Sequence, residues 1–389
     1  MKLAAARRSE SVTSEPTNDR RRILIVGMRP PRLPLRDGYV LHLYHLLKEL
    51  HAVHDVTFLT IEDAGHGFAD IEGLRVLETS RSNLKRVLRS TIAATAPDVV
   101  HAIGAPMASV VRSVDHSIRT VLGALDAPHL NVDAVDATGL IKVLRKRVRR
   151  ARSIRAIRRQ YGEADRVVVV SEEDAVALRE VNPDLHVSVI PNGVDLEGFA
   201  PRPAIARQAG RLLFTGALNY PPNVATARFV AEEVMPKVLS RQPSARLSLV
   251  GRDPGEIVER LGELDGVDVV GPVDDMGDAL AVGAVYVCPM VAGTGIKNKL
   301  LEALANGLPC VASPLAIRGT DLTHGLDVLV GDGADEVADL IVELLVDDDL
   351  RLQLGEAGRK YVADHHSWSS VANRFSRIYG ELLSDSEPS

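Results

Sequence analysis

Cysteine, aromatic side chains and long apolar runs are all scarce in this sequence. Two cysteines and one tryptophan occur among 389 residues, and aromatics make up 4%. Two cysteines cannot build a disulfide framework. Cys288 and Cys310 both sit in apolar, strand-like runs and read as core residues of a protein held in a reducing cytoplasm. No run approaches the roughly 18 apolar residues of a membrane span. The first twenty residues, MKLAAARRSESVTSEPTNDR, contain no apolar core of the kind a signal peptide needs and read as a disordered tail. Nowhere do His, Cys and Asp fall at metal-ligand spacing. The run ILIVGMRPPRL suits a first buried strand but lacks the second and third glycines of G-x-G-x-x-G, which disfavours a nicotinamide-dinucleotide dehydrogenase.

The composition, 46% hydrophobic and 25% charged, is that of a globular protein. The length exceeds one ordinary core and implies two domains. The net charge of −6 hides an asymmetry. GLIKVLRKRVRRARSIRAIRRQ (Gly139–Gln160) holds ten Lys and Arg and no acid, leaving 36 basic against 52 acidic residues elsewhere. Ile141, Leu144, Val148, Ala151 and Ile154 recur there at near-helical spacing. Such a segment either lays its apolar stripe on the core with a solvated basic face, or docks on an anionic membrane surface through Lys142–Arg159. It lacks the stacking aromatics of a nucleic-acid site, so no nucleic-acid partner is expected.

Short Val/Ile/Leu-rich runs alternate with helical patterns along the whole chain. Strands are expected at 23–27, 56–61, 74–78, 99–103, 120–125, 167–170 and 187–190, then at 212–215, 247–250, 267–270, 285–288, 310–312 and 328–330. Helical patterns fill most of the intervals. Continuous apolar strands separated by helices imply parallel sheets covered on both faces. The expected fold is therefore α/β, with two doubly wound Rossmann-like domains facing across a cleft. PRPAIARQAGR (Pro201–Arg211) has no apolar stripe and reads as the linker. The expected division is a tail at 1–20, a first domain at 21–200, the linker at 201–211, a second domain at 212–366, and a final helix with a short tail at 367–389. Ligands in such sheets bind at the carboxyl ends of strands.

The stretch AGTGIKNKLLEALANGLPC (Ala292–Cys310) carries the chemistry. Gly293, Thr294 and Gly295 follow a strand and leave the backbone bare for an anion. Lys297 and Lys299 stand at the start of a helix, where cations are unfavourable unless an anion neutralises them. Glu302, three residues after Lys299, suits the vicinal hydroxyls of a ribose. The competing reading is a surface Lys299–Glu302 pair on an amphipathic helix. In the first half, Asp37 and Gly38 precede a helix as a close-approach loop or as an ordinary cap. Arg29 and Arg36 either meet an anionic acceptor or are solvated. His101 lies near a strand end, as a site residue or as a structural one. Asp126 and His129 follow another strand, and Asp126 is the acceptor-side candidate.

GTGIKNKLLEALANGLPCVAS is similar to the nucleotide-sugar signature of glycosyltransferase family 4, a retaining family of the GT-B fold, with Glu302-Ala303-Leu304-Ala305-Asn306-Gly307-Leu308-Pro309 matching well. VIPNGVDLEGFAP resembles the family's link between domains through Pro191, Asn192, Gly193, Val194, Asp195 and Phe199. LLFTGALNYPPNVATARF resembles the strand and glycine turn that open the second domain, and HHSWSSVANRFSRIYGELL the closing helix that packs back on the first. The resemblance spans roughly Ile23 to Leu383, and GTGIKNK and ALNYPPN most resemble sugar transferases of exopolysaccharide loci, including those linked to PEP-CTERM systems. It implies a metal-independent transferase moving a sugar from a nucleotide-diphospho-sugar to a glycan or lipid-linked acceptor, with no cofactor, in the cytoplasm or on the inner face of the cell membrane. It places Gly216 near the phosphates, Arg252 at the base pocket and Gly38 facing the donor. Two departures stand out. Thr294 occupies a position where many members carry Glu, and the Gly216 turn lacks their usual Arg/Lys pair. Lys297 and Lys299 replace that charge, Lys297 being the first choice for the diphosphate. The Thr294 departure also feeds an alternative: a non-catalytic nucleotide-sugar-binding partner of a glycan biosynthesis complex.

Overall fold

A computed structural model of the chain describes residues 20–31, 38–61, 71–133, 140–293 and 295–385, with the side chains of 131–143 left aside. Nearly all of the expected tail, together with Arg36, Asp37 and Thr294, lies outside the described residues. Seven strands form the first sheet: β1 (Arg22–Gly27), β2 (Asp55–Thr60), β3 (Arg75–Glu78), β4 (Val99–Ile103), β5 (Arg119–Leu125), β6 (Arg166–Val169) and β7 (Val187–Val189). Six form the second: β8 (Arg211–Thr215), β9 (Arg246–Val250), β10 (Val267–Gly271), β11 (Val285–Cys288), β12 (Cys310–Ala312) and β13 (Leu329–Val330). Every pairing within them is parallel.

The strand orders are β3-β2-β1-β4-β5-β6-β7 and β10-β9-β8-β11-β12-β13. Each sheet winds outward in both directions from one central pair. The order reverses between β1 and β4 in the first sheet and between β8 and β11 in the second. At such a switch point the two flanking loops leave on opposite faces and open a crevice above the carboxyl ends. Full burial explains the unbroken apolar strands: Leu24, Ile25 and Val26 are 0% exposed, as are Val285, Tyr286 and Val287.

The halves are joined twice. Ile190 N–H still donates to Val169 of the first sheet, whereas the Val194 side chain packs in the second core and its N–H donates to the His366 carbonyl at 2.7 Å. The forward crossing is therefore made by 190–194, beside the return crossing at 366–368. Pro201–Arg211, expected as the linker, is instead fastened to the second domain. Arg202 pairs with Asp278 at 3.0 Å, and Arg207 donates to the carbonyls of Gly283, Asn306 and Gly307. These arginines supply the anchoring that apolar side chains do not.

The closing helix, Trp368–Ser384, buries Trp368, Val371, Phe375, Ile378 and Tyr379 against Ile23, Ile25, Leu43, Leu47 and Phe58 of the first domain. The basic segment is one helix, Leu140–Gln160. Its apolar stripe does not lie on the core as one reading expected. Leu144 is 63% and Val148 42% exposed, and burial is complete only at Ile157, near the end. Among the described residues no helix is long and apolar enough to cross a membrane.

Phe375 is 1% exposed inside the first core. Phe375→Ala should cost about 3–5 kcal/mol through lost transfer and a residual cavity. A lowered urea midpoint of the first domain is the expected outcome; an unchanged one would show that the closing helix adds nothing to that core.

Candidate active site

The second switch point gathers most of the candidates. Gly216 follows β8, and the loop leading to the helix Asn298–Ala305 follows β11, the strand beside it. The Gly216 turn is built on close backbone approach. Gly216 N–H donates to Val250 O at 3.0 Å and Leu218 N–H to Arg252 O at 2.9 Å. A Cβ on Gly251 would stand 1.7 Å from the Gly216 carbonyl, so only glycine permits this packing of β8 against β9. A Cβ on Gly216 itself, at φ +148°, would meet Lys299 Nζ and Asn223 Nδ2, both at 2.7 Å.

Lys299 is thus the cation under the glycine turn. Its ammonium donates to Asn223 Oδ1 and stands 4.6 Å from the centre of the Phe214 ring. It makes no ion pair among the described residues. Burial lowers its pKa, partly offset by the nearby Cys288 and Glu302. Lys299 is half-buried, and holding a partly desolvated cation without a paired anion costs stability. Glu302, on the same helix, is half-buried, and burial raises its carboxyl from 4.5 to about 7, with Lys299 pulling the other way. Cys288 lies beneath, fully buried, its thiol pushed up to about 11 despite both lysines.

Lys297, the first choice for the diphosphate on sequence grounds, is bonded to its own loop, whereas Lys299 lies under the Gly216 turn. Lys297 Nζ bonds to the carbonyls of Gly295 at 2.5 Å and Gly293 at 3.3 Å. It closes the glycine loop on itself, with Gly293 at φ +107° and Gly295 at φ +67°. Periodicity could not tell the two lysines apart. Nor did it single out Asn223, whose signal was the Pro-Pro-Asn opening of the helix Pro221–Phe229. Arg252 is exposed at the end of β9, beside the Gly216 turn.

Across from these groups stand the carboxyl ends of the first sheet. Gly38 opens the helix Gly38–Val53 with open space where a Cβ would be. Asp126 follows Leu125, a non-glycine residue at φ +69° where β5 and β6 slip register. Strain at a strand end beside a cleft is a recurring mark of functional loops. The loop is held by Asp174, which accepts from Ala127 N–H at 2.8 Å and from the Ser171 hydroxyl at 2.5 Å. Asp174 belongs to a helix, Glu172–Val181, absent from the sequence expectations although Ser171 and three acids announced its start. Burial lowers the pKa of Lys297, and Cys288 and then Glu173 of that helix partly offset the effect.

His101 is a correction. It is 0% exposed in the first core, with Nδ1 bonded to Tyr379 OH at 2.8 Å and its ring 5.0 Å from that of Phe375. Burial holds it neutral, near a pKa of 3. Position 101 sits mid-strand in register with Ile25 and Val121, so its side chain meets the closing helix and not the cleft.

Two parallel doubly wound domains with an anion-ready crevice between them define the GT-B fold. Solved structures with that architecture overlay on nearly the whole chain: sucrose-phosphate synthase from Thermosynechococcus elongatus (TM-score 0.64, 18% identity, 94% of this chain and 100% of that one) and HepE from Anabaena in complex with UDP and glucose (TM-score 0.64, 14% identity, 93% and 100%). The family model described as Glycosyltransferase Family 4 matches residues 36–197, and that described as Glycosyl transferases group 1 matches 209–347. The chain belongs to glycosyltransferase family 4. Among curated relatives, the phosphatidyl-myo-inositol mannosyltransferase of Mycolicibacterium smegmatis is 34% identical over 200 residues, 49% of this chain and 50% of the relative. A GDP-mannose-dependent alpha-(1-6)-phosphatidylinositol monomannoside mannosyltransferase of Mycobacterium tuberculosis is 28% identical over 244 residues, 56% and 62%. The chain spans about half the length of the first of these relatives.

Between pH 4.5 and about 7 the folded state holds a proton on Glu302 that the unfolded chain releases. Stability from this group is therefore lost as pH rises through that window. Glu302→Gln should raise the melting temperature at pH 8 and change it little at pH 4.5. Equal effects at both pH values would show that the carboxyl is not held up by burial.

Proposed function

We propose that the chain is a retaining glycosyltransferase, moving a sugar from a nucleoside-diphospho-sugar held by the second domain to a hydroxyl presented by the first. The observation that carries this is Lys299: a half-buried ammonium with no ion pair among the described residues, set between the Gly216 turn and Glu302 at a switch point. Lys299 and the bare backbone of Gly216, Gly293 and Gly295 take the diphosphate. Glu302 takes the ribose hydroxyls, and Arg252 borders the base. Asp126 and Gly38 face the transferred sugar and the acceptor. In the transfer the bond from the anomeric carbon to phosphate oxygen breaks. The acceptor oxygen bonds to that carbon from the same face, and its proton passes to the departing phosphate. Charge accumulates on the diphosphate, where the fixed lysine stabilises it without reorganisation, and the two domains hold acceptor and leaving group together on one face of the sugar. The reading needs no metal, because the ammonium supplies the charge.

Names borne by the relatives suggest GDP-mannose as the first donor to try and a lipid-linked glycan or inositol lipid as acceptor. The basic helix supports a membrane-borne acceptor. Its exposed Leu144 and Val148 stand one turn apart among arginines, as an interfacial anchor on anionic lipid requires.

Calorimetry with GDP and UDP, with and without EDTA, is the direct test. Wild type should bind one of them in EDTA. Lys299→Ala and Glu302→Ala should each lose roughly 10–100-fold, as the loss of about 1.5–3 kcal/mol from a hydrogen bond to a charged group implies. Wild-type affinity in both variants would remove the donor assignment. In vesicle sedimentation, the protein should bind phosphatidylglycerol vesicles and not phosphatidylcholine, and Leu144→Glu/Val148→Glu should release it. Equal sedimentation with both lipids would remove the membrane reading.

A further inference from the structure

Asn223 is 5% exposed and bonded on both sides. Its Nδ2 donates to the Ala217 carbonyl at 2.9 Å, inside the Gly216 turn. Its Oδ1 accepts from Lys299 Nζ. Because one end of the amide is committed to a carbonyl, the other must present oxygen, and the orientation of the side chain is fixed. The backbone is fixed too. Asn223 is the third residue of the helix Pro221–Phe229, its N–H donates to Tyr220 O at 2.8 Å, and Thr226 Oγ1 donates back to Pro222 O at 2.9 Å. Pro222 closes the other side, where a Cβ on Gly293 would lie 3.3 Å from it. One short helix start thus touches both glycine loops and the cation between them.

We infer that Asn223 is a positioning residue for donor binding: a neutral acceptor that aims the Lys299 ammonium at the diphosphate without neutralising it. This rests on the donor-site reading above. The chemistry of the side chain decides the point. A half-buried ammonium needs acceptors, and a carboxylate at position 223 would supply a stronger one, since charged pairs bind more tightly than neutral ones. It would also satisfy Lys299 internally and leave an incoming diphosphate facing a neutral pair. An amide holds the ammonium in place and keeps its charge for the ligand. The Phe214 face does the same on another side, attracting the cation with no formal charge. Lys299 is therefore held by neutral groups: one amide oxygen and one aromatic ring.

The test is calorimetric titration of GDP and UDP, with guanosine and uridine as phosphate-free probes, into wild type, Asn223→Asp, Asn223→Ala, Lys299→Met and Asn223→Asp/Lys299→Met, with melting curves confirming the fold of each. Asn223→Asp should lose at least 10-fold in diphosphate affinity, more than Asn223→Ala, with nucleoside binding unchanged. In the Lys299→Met background the aspartate should cost little further, because its effect acts through the lysine. If Asn223→Ala loses as much as Asn223→Asp, or if nucleoside and diphosphate weaken together, Asn223 merely builds the loop and the inference falls. Should Asn223→Asp not fold, Asn223→Ala against Lys299→Met decides: additive losses in the double variant Asn223→Ala/Lys299→Met would overturn the positioning role. If wild type binds neither diphosphate, the donor-site reading itself fails, an outcome separate from a bound wild type with an indifferent Asn223→Asp.

Discussion

A half-buried positive charge with no ion pair among the described residues is the constraint around which this end of the second domain is organised. Lys299 enters its pocket only because β8 and β11 lie side by side, so that the turn after one strand covers the helix that follows the other. The glycines at 216 and 251 are required by the same arrangement: the first leaves room for the Lys299 and Asn223 side chains, the second for the Gly216 carbonyl. Asn223 and Phe214 surround the ammonium with groups that carry no charge. The desolvation cost of this arrangement is met elsewhere, in a core that includes the fully covered Leu212, Phe214, Val285 and Val287 of the central pair. Natural sites commonly hold such local instability within a stable frame.

Much of this could be read from the residues. Each of the thirteen strands was announced by a short apolar run, because in a parallel sheet covered on both faces the whole strand must be hydrophobic. The closing helix and the glycine-flanked lysines were equally plain. What escaped depended on direction and contact. Lys297 and Lys299 differ by two positions, and only the turn of the helix shows that the first folds back on its own loop while the second reaches the Gly216 turn. His101 looked like an edge residue because it stands in a strand near a loop. Its partner is Tyr379, 278 residues away in the chain, and no local pattern reports such a neighbour. The helix Glu172–Val181 was masked by its weak apolar spacing, although its serine cap and acidic first turn were there to be seen. Pro201–Arg211 looked unattached for a related reason: its anchors are arginines bonded to carbonyls, and composition does not distinguish these from solvated ones.

The basic helix shows the limit of periodicity from the other side. Apolar residues at helical spacing ordinarily mean a face against the core. Here the stripe is present, yet Leu144 and Val148 face solvent, and only the last turns are packed. Periodicity alone does not say whether such a stripe packs or is solvated. Ten cations without one acid, on a chain otherwise negative, give this helix a basic surface.

The double crossing at 190–194 and 366–368 makes the second domain, in topological terms, an insertion within the first. Trp368, Phe375 and Tyr379 complete a hydrophobic core whose earliest members, Ile23 and Ile25, precede them by more than 300 residues. During synthesis the first domain therefore emerges early but remains unfinished, with the face over β1 and β4 uncovered, while the second domain can close on its own. The first half of the chain to leave the ribosome is the last to be sealed. Its open face is the period of greatest exposure to aggregation that this architecture imposes.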